Sequence, residues 1–140
     1  MAKSQKLQQT GYPFQYAVKF ICTANIPGTS QTSAAVLPGV YQTAVNIHNP
    51  QSIRVKLRKK IASGLGISKY FDAILGPDAV QHVNCSQIND FGIRFIHGFE
   101  GFLVIESTHS LDVVAVYTAG ATGGQVTSID VEQIRERKLF

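Results

Sequence analysis

The last third of the chain most narrows what it can fold into. Gly101-Phe102-Leu103-Val104-Ile105-Glu106-Ser107, then Leu111-Asp112-Val113-Val114-Ala115-Val116-Tyr117-Thr118, then Val126 to Ile134 are three apolar, β-branched runs. Short polar connections separate them, and the second carries Gly120, Gly123 and Gly124. Each run has the length of an ordinary strand, so the pattern predicts an antiparallel meander. Nothing resembling a catalytic loop interrupts it.

The same period of two recurs upstream. Residues 1–13 are polar, with Gly11 and Pro13 at the junction, and are expected to form a flexible arm ahead of a single domain over 14–140. Phe14 to Thr23 reads as a strand with Tyr16, Val18, Phe20 and Cys22 on one face and Ala17, Lys19 and Ile21 on the other. A loop of small residues over 24–37 leads to Pro38-Gly39 and a second strand, Val40 to His48. There Tyr41, Thr43, Val45 and Ile47 oppose Gln42, Ala44, Asn46 and His48, the alternation of a sheet with one face on a core. A third strand, Ile53 to Ile61, sets Ile53, Val55 and Leu57 against Arg54, Lys56 and Arg58. Lys59-Lys60 breaks its alternation, which predicts a bulge or a sheet edge.

Ser63-Gly64-Leu65-Gly66-Ile67 reads as loop, Ser68 to Leu75 fits one helical turn or a short strand, and Gly76-Pro77-Asp78 marks a turn. Ala79 to Cys85 reads as a strand and Gln87 to Ile96 as a short helix. About seven or eight strands at regular spacing predict an all-β, antiparallel β-sandwich of jelly-roll type. Tyr41, Val45, Ile47, Val55, Leu57, Val104, Val113, Ala115, Tyr117, Ile129 and Val131 are the expected inward residues.

Composition bounds the function classes. The chain has 140 residues, 44% hydrophobic and 16% charged. The charged share is below the roughly 25% of ordinary soluble domains. Such a surface is either covered by Thr, Ser, Gln, Asn and Gly or buried against partners. The net charge is +4, yet there is one compact basic run and neither an aromatic platform nor a recognition helix, which argues against nucleic acid. No secretory leader and no apolar stretch approaching ~18 residues is visible, so no membrane span is expected and the cytoplasm is the default compartment, with non-classical export open. Cys22 and Cys85 sit in separate apolar runs and are expected to be reduced and buried.

Candidate chemistry is sparse. Ser107, His109 and Asp112 contain the residue types of a hydrolytic triad, but three residues in one tight turn do not converge as a triad must. A solvated turn is the simpler expectation. His48, His82, His97 and His109 have no ligand-like spacing, so no metal or cofactor is expected. Gly64-Leu65-Gly66 and the glycines of 120–124 lack the Lys-Ser/Thr and helix of a phosphate loop. Asn84-Cys85-Ser86 is formally a glycosylation sequon but lies in an expected strand. The remaining feature is charge: the Arg54, Lys56 and Arg58 face, and Asp130 with Glu132 on the last strand. These two faces are expected to pair, within the chain or between copies.

Taken together, Tyr16 to Cys22, Pro38 to Pro50, Arg58-Lys59-Lys60, Gly101 to Ser107, Leu111 to Thr118 and Ser128 to Glu132 resemble a family of small bacterial all-β proteins with no assigned activity. The resemblance spans roughly residues 14–137 and implies one all-β domain; it supplies no catalytic residue. The sequence therefore points to a non-enzymatic structural subunit that assembles with copies of itself into a homo-oligomer or filament. A small-molecule or glycan binding module, with its site in the sandwich loops, is the alternative.

Overall fold

Among the described residues, ten strands and one 3-10 helix form in the order β1 (Phe14–Cys22), β2 (Val40–His48), β3 (Val55–Ser63), β4 (Gly66–Ile67), β5 (Phe71–Leu75), β6 (Val80–Asn84), the helix (Cys85–Phe91), β7 (Phe99–Ser107), β8 (Asp112–Gly120), β9 (Val126–Gln133) and β10 (Arg137–Lys138). The structure, a computed structural model, describes residues 11–23, 39–95, 98–120 and 125–140. The expected arm up to residue 10, the expected loop over 24–37, His97 and the Gly123-Gly124 turn lie outside the described residues.

The strands make two antiparallel sheets packed as a sandwich. One has six strands, ordered β10-β1-β7-β3-β4 with β5 also paired to β3; the other has four, ordered β6-β2-β8-β9. The count exceeds the expected seven or eight because β4 and β10 are two residues long. A period of two cannot be read from two residues.

Alternation explains most of the core. Tyr16, Val18 and Phe20 on β1, Leu57 and Ile61 on β3, and Leu103 and Ile105 on β7 are buried against Val45 and Ile47 on β2 and Val113 and Ala115 on β8. Each Val, Leu, Ile or Phe side chain among them contributes roughly 1.5–3 kcal/mol relative to exposure. On β7, Val104 is not inward as expected: Leu103 and Ile105 are fully buried and Val104 faces out, half-buried. This run is apolar on both faces, so its alternation does not choose between them. Gly101 lies on the inward face with Leu103 and Ile105, where a Cβ would meet Ala62 O and Ser63 Cβ of the paired β3 at 2.8 Å.

Strand β3 has no bulge at Lys59-Lys60. It pairs continuously with β7 from Leu57 to Ser63, and Lys59 takes an inward position between Leu57 and Ile61. Its Nζ donates to Gln81 Oε1 of β6 at 2.9 Å, and burial lowers its pKa. Ile53 is about half exposed and, with Arg54, precedes the strand.

The helix begins earlier than expected because Asn84 caps it. Its side chain accepts from Ser86 N at 3.1 Å while Gln87 Oε1 accepts from Asn84 N at 2.8 Å, a reciprocal capping box. Gly92, at φ 82°, ends it. The sequon is thus a helix start.

Cys22 and Cys85 are joined in a disulfide, contrary to the expectation of two free thiols. Cys22 ends β1 in one sheet and Cys85 follows β6 in the other, and their Cα atoms stand 5.8 Å apart. Thr43 brings the two sheets together here: its hydroxyl donates to Ile21 O at 2.8 Å and accepts from Ile21 N at 2.9 Å. Each cysteine had been placed by its own run, whereas pairing is decided by which strand ends meet.

Candidate interface on the four-stranded sheet

Strand β9 is the anomaly of the fold. All eight of its residues are exposed, although it runs the length of β8. Ile129 and Val131, expected inward, are 65% and 61% exposed. The register gives the reason. Ala115 and Tyr117, which point into the sandwich, lie opposite Glu132 and Asp130, so the carboxylates take the inner side. Val116 and Thr118 lie opposite Val131 and Ile129, so the aliphatic residues take the outer side. Period two correctly separated these two sets but assigned them to the wrong faces.

Among the described residues, neither side of β9 has a cover. Outside, Val131 and Ile129 continue across Val116 and Val114 of β8 to Ala44 of β2, an aliphatic field on the solvent face of the sheet. Inside, β9 overhangs the other sheet, whose edge strand β10 covers β1 only at Phe14 and Gln15. Burial, then the Glu132 and Asp130 carboxylates, push the Tyr117 phenol up to about 12. That hydroxyl donates to Lys19 O at 2.6 Å.

The basic face is placed differently. Arg54 is exposed ahead of β3, and Lys56 is exposed on the outer face of the six-stranded sheet. Arg58 donates from Nε and Nη2 to Glu106 Oε1 at 2.9 and 2.6 Å, and Gln15 Nε2 donates to Glu106 Oε2 at 2.8 Å. Glu106 is only 5% exposed, and the Arg58 guanidinium lies between the rings of Tyr12 and Tyr70 at 4.5 and 4.0 Å. One chain therefore does not bring Arg54, Lys56 and Arg58 together with Asp130 and Glu132, and Arg58 is already partnered.

The polar candidates resolve as local structure. Ser107 Oγ donates to the His109 carbonyl at 2.7 Å, and His109 Nδ1 lies 3.0 Å from Thr108 Oγ1. Asp112 turns instead to His48, whose Nδ1 is 2.7 Å from Asp112 Oδ2 and whose Nε2 is 2.7 Å from Asp78 Oδ1. The Asp112 bond first, then the Asp78 bond, raise the His48 pKa. Among the described residues, no group of three or more His, Cys, Asp or Glu is arranged to hold a metal ion. Nor is any described helix long and apolar enough to cross a membrane.

Two hollows lie where the chain crosses between sheets. One of about 440 Å³ is lined by Tyr16, Ser110, Gln133, Ile134 and Glu136 among others, and one of about 400 Å³ by Ala17, Ile134, Arg135, Glu136 and Arg137. Tyr16 fixes this corner: its hydroxyl donates to Glu136 Oε1 at 2.6 Å and accepts from Leu111 N at 2.7 Å.

The fold is similar to that in a crystal structure of Thermotoga maritima 1070, with a TM-score of 0.55 over 89% of this chain and 98% of that one, at 10% identity. At that identity the likeness concerns architecture alone. No protein-family model and no curated protein matches the sequence.

Proposed function

We propose that this protein is a non-enzymatic structural subunit that associates with copies of itself through the outer face of its four-stranded sheet. The observation that carries the reading is β9, an eight-residue strand that is exposed throughout. Holding its backbone costs roughly 1–2 kcal/mol per residue. Its own chain offsets that with pairing to β8 on one side, each bond worth about 0.5–1.5 kcal/mol. A second copy seated on Val114, Val116, Ile129 and Val131 supplies the missing burial. The carboxylates of Asp130 and Glu132, on the inner side of β9, stay outside this contact.

Size-exclusion chromatography with light scattering tests this. The wild type is expected above monomer mass at micromolar concentration, and Ile129→Lys/Val131→Lys at monomer mass with an unaltered melting temperature, since both positions are exposed. A wild type that stays monomeric at low salt removes the reading and promotes the binding-module alternative.

A further inference from the structure

We infer that the proton on His48 governs the contact between copies: the cluster of His48, Asp112 and Asp78 borders the aliphatic field of the four-stranded sheet, and losing that proton leaves unbalanced carboxylate charge at the edge of the contact. This deepens the self-association reading and rests on it.

The cluster belongs to the same face. His48 ends β2 on its outward side, in line with Asn46 and Ala44, and Asp112 lies opposite it at the start of β8. Val114 follows Asp112 on that side, about 6.6 Å further along the strand. The outward positions of β2, β6, β8 and the Ile129–Gln133 part of β9 otherwise carry aliphatic residues, amides, Thr118 and the imidazole of His82, and no Lys, Arg or Glu. The outer face of the other sheet carries Lys56, Arg58 and Lys60 along β3 alone. Charged side chains are depleted at the centre of protein contacts, so the face without them is the one suited to a second copy. Its ionisable groups, among the described residues, are those of the cluster and His82.

Geometry fixes the charge of the ring. Nδ1 lies 2.7 Å from Asp112 Oδ2 and Nε2 lies 2.7 Å from Asp78 Oδ1. An ionised carboxylate only accepts hydrogen bonds, so both bonds form only when each ring nitrogen carries a proton. The Asp112 bond, then the Asp78 bond, raise the His48 pKa accordingly. With the proton the cluster holds one net negative charge; without it the cluster holds two, and one ring nitrogen turns a lone pair toward a carboxylate. The neighbouring elements add little charge. Strand β6 sets Val80 opposite His48, with His82 one position along that face, and the loop after β2 brings Gln51, which donates to Ser110 O, and ends in the exposed Arg54.

The backbone holds still while the charge changes. Asp78, at φ 63°, sits in a turn fastened by the buried Asn49. Asn49 Nδ2 donates to Leu75 O at 2.9 Å and Gly76 O at 3.0 Å, and its carbonyl accepts from Asp78 N at 2.9 Å. Asp112 is held by the pairing of β8 with β2. Deprotonation therefore adds charge beside Val114 without dismantling the sheet. A carboxylate that a partner desolvates without a counter-charge opposes association. The contact is strongest while the ring is charged and weakens as pH rises through the folded-state value of His48.

Sedimentation equilibrium of the full-length protein at pH 5.5 and pH 8.5 tests this. The wild-type dissociation constant is expected to rise about three- to tenfold with pH, the scale of a charge change at an exposed rim. His48→Gln is expected to remove the rise and His82→Gln to retain it. Asp112→Asn, which takes away the carboxylate beside Val114, is expected to tighten the contact at pH 8.5. A rise that persists in His48→Gln, or that disappears in His82→Gln, overturns the inference, and so does an Asp112→Asn protein no tighter than the wild type at pH 8.5. A rise accompanied by loss of the β-sheet circular-dichroism signal places the effect on the fold and overturns it too. A pH-independent assembly that Ile129→Lys/Val131→Lys dissociates overturns this inference and leaves the self-association reading standing. A wild type monomeric at both pH values overturns both.

Discussion

Reducing the Cys22–Cys85 bond should cost this protein a substantial part of an ordinary domain's margin of stability, which is about 5–15 kcal/mol. The bridge closes a loop with a sequence separation of 63 residues, spanning β2 to β6 and hence half of each sheet. In the chain-entropy treatment, releasing a loop of that length from the unfolded state is worth about 4 kcal/mol at 25 °C. The folded state loses little in exchange. The Cys85 sulfur sits 3.4 Å from Thr43 N and 3.5 Å from Ile21 O, so a thiol there keeps both a donor and an acceptor. For a 140-residue chain with an unfolding entropy of about 2.1 cal/mol/K per residue, 4 kcal/mol corresponds to a drop of roughly 10–15 °C in melting temperature. Circular-dichroism melts of one preparation with and without a phosphine reductant measure the difference, and thiol titration in denaturant measures the bond. Two free thiols per chain without reductant would refute the pairing. A proven bond whose reduction moves the melt by less than about 3 °C would refute the entropic argument.

Two further outcomes follow from side-chain placement. His48 has its pKa raised by its bonds to Asp112 and Asp78, so its contribution to stability is fully present below the unfolded value near 6.5 and is lost as pH rises through the folded one. The gap in melting temperature between wild type and His48→Gln should therefore be wider at pH 5.5 than at pH 8.5; a gap that widens with pH contradicts the assigned geometry. On β8, Val113→Asp buries an unpaired carboxylate and should cost several kcal/mol in urea denaturation, while Val114→Asp, on the outer face, should cost less than about 1 kcal/mol; equal costs would place the register one residue out.

The sandwich was legible in the sequence because most strands carry a one-sided alternation. Val45 and Ile47 on β2, Val55 and Leu57 on β3, and Val113 and Ala115 on β8 all point where period two puts them. It failed where alternation carries no sign. β7 is apolar on both faces, and only the packing of Leu103 and Ile105 against the other sheet shows which one is inside. β9 alternates clearly, but a strand beyond the core's edge has no buried side for the aliphatic residues to seek. The disulfide and the Arg58–Glu106 pair depend on which strands become neighbours, 63 and 48 residues apart in the chain, and no local pattern records that. The charged candidates were visible as residues, while their grouping was not: Arg58 is held by a buried acid, and Asp130 and Glu132 lie on the inner side of β9, opposite Tyr117 and Ala115.

The way the two sheets are fastened together has its own consequence. A covalent bond holds one end of the sandwich, and at the other the Tyr16 hydroxyl ties β1 to the start of β8 and to Glu136. Neither sheet can slide over the other, so thermal motion cannot spread evenly through the molecule. It concentrates in the element outside both fastenings. The amides of β9 can exchange with solvent through local fraying, whereas those of β1 and β7 must wait for the whole domain to open. The strand most exposed to solvent is thus also the one that can detach from its sheet without disturbing the rest.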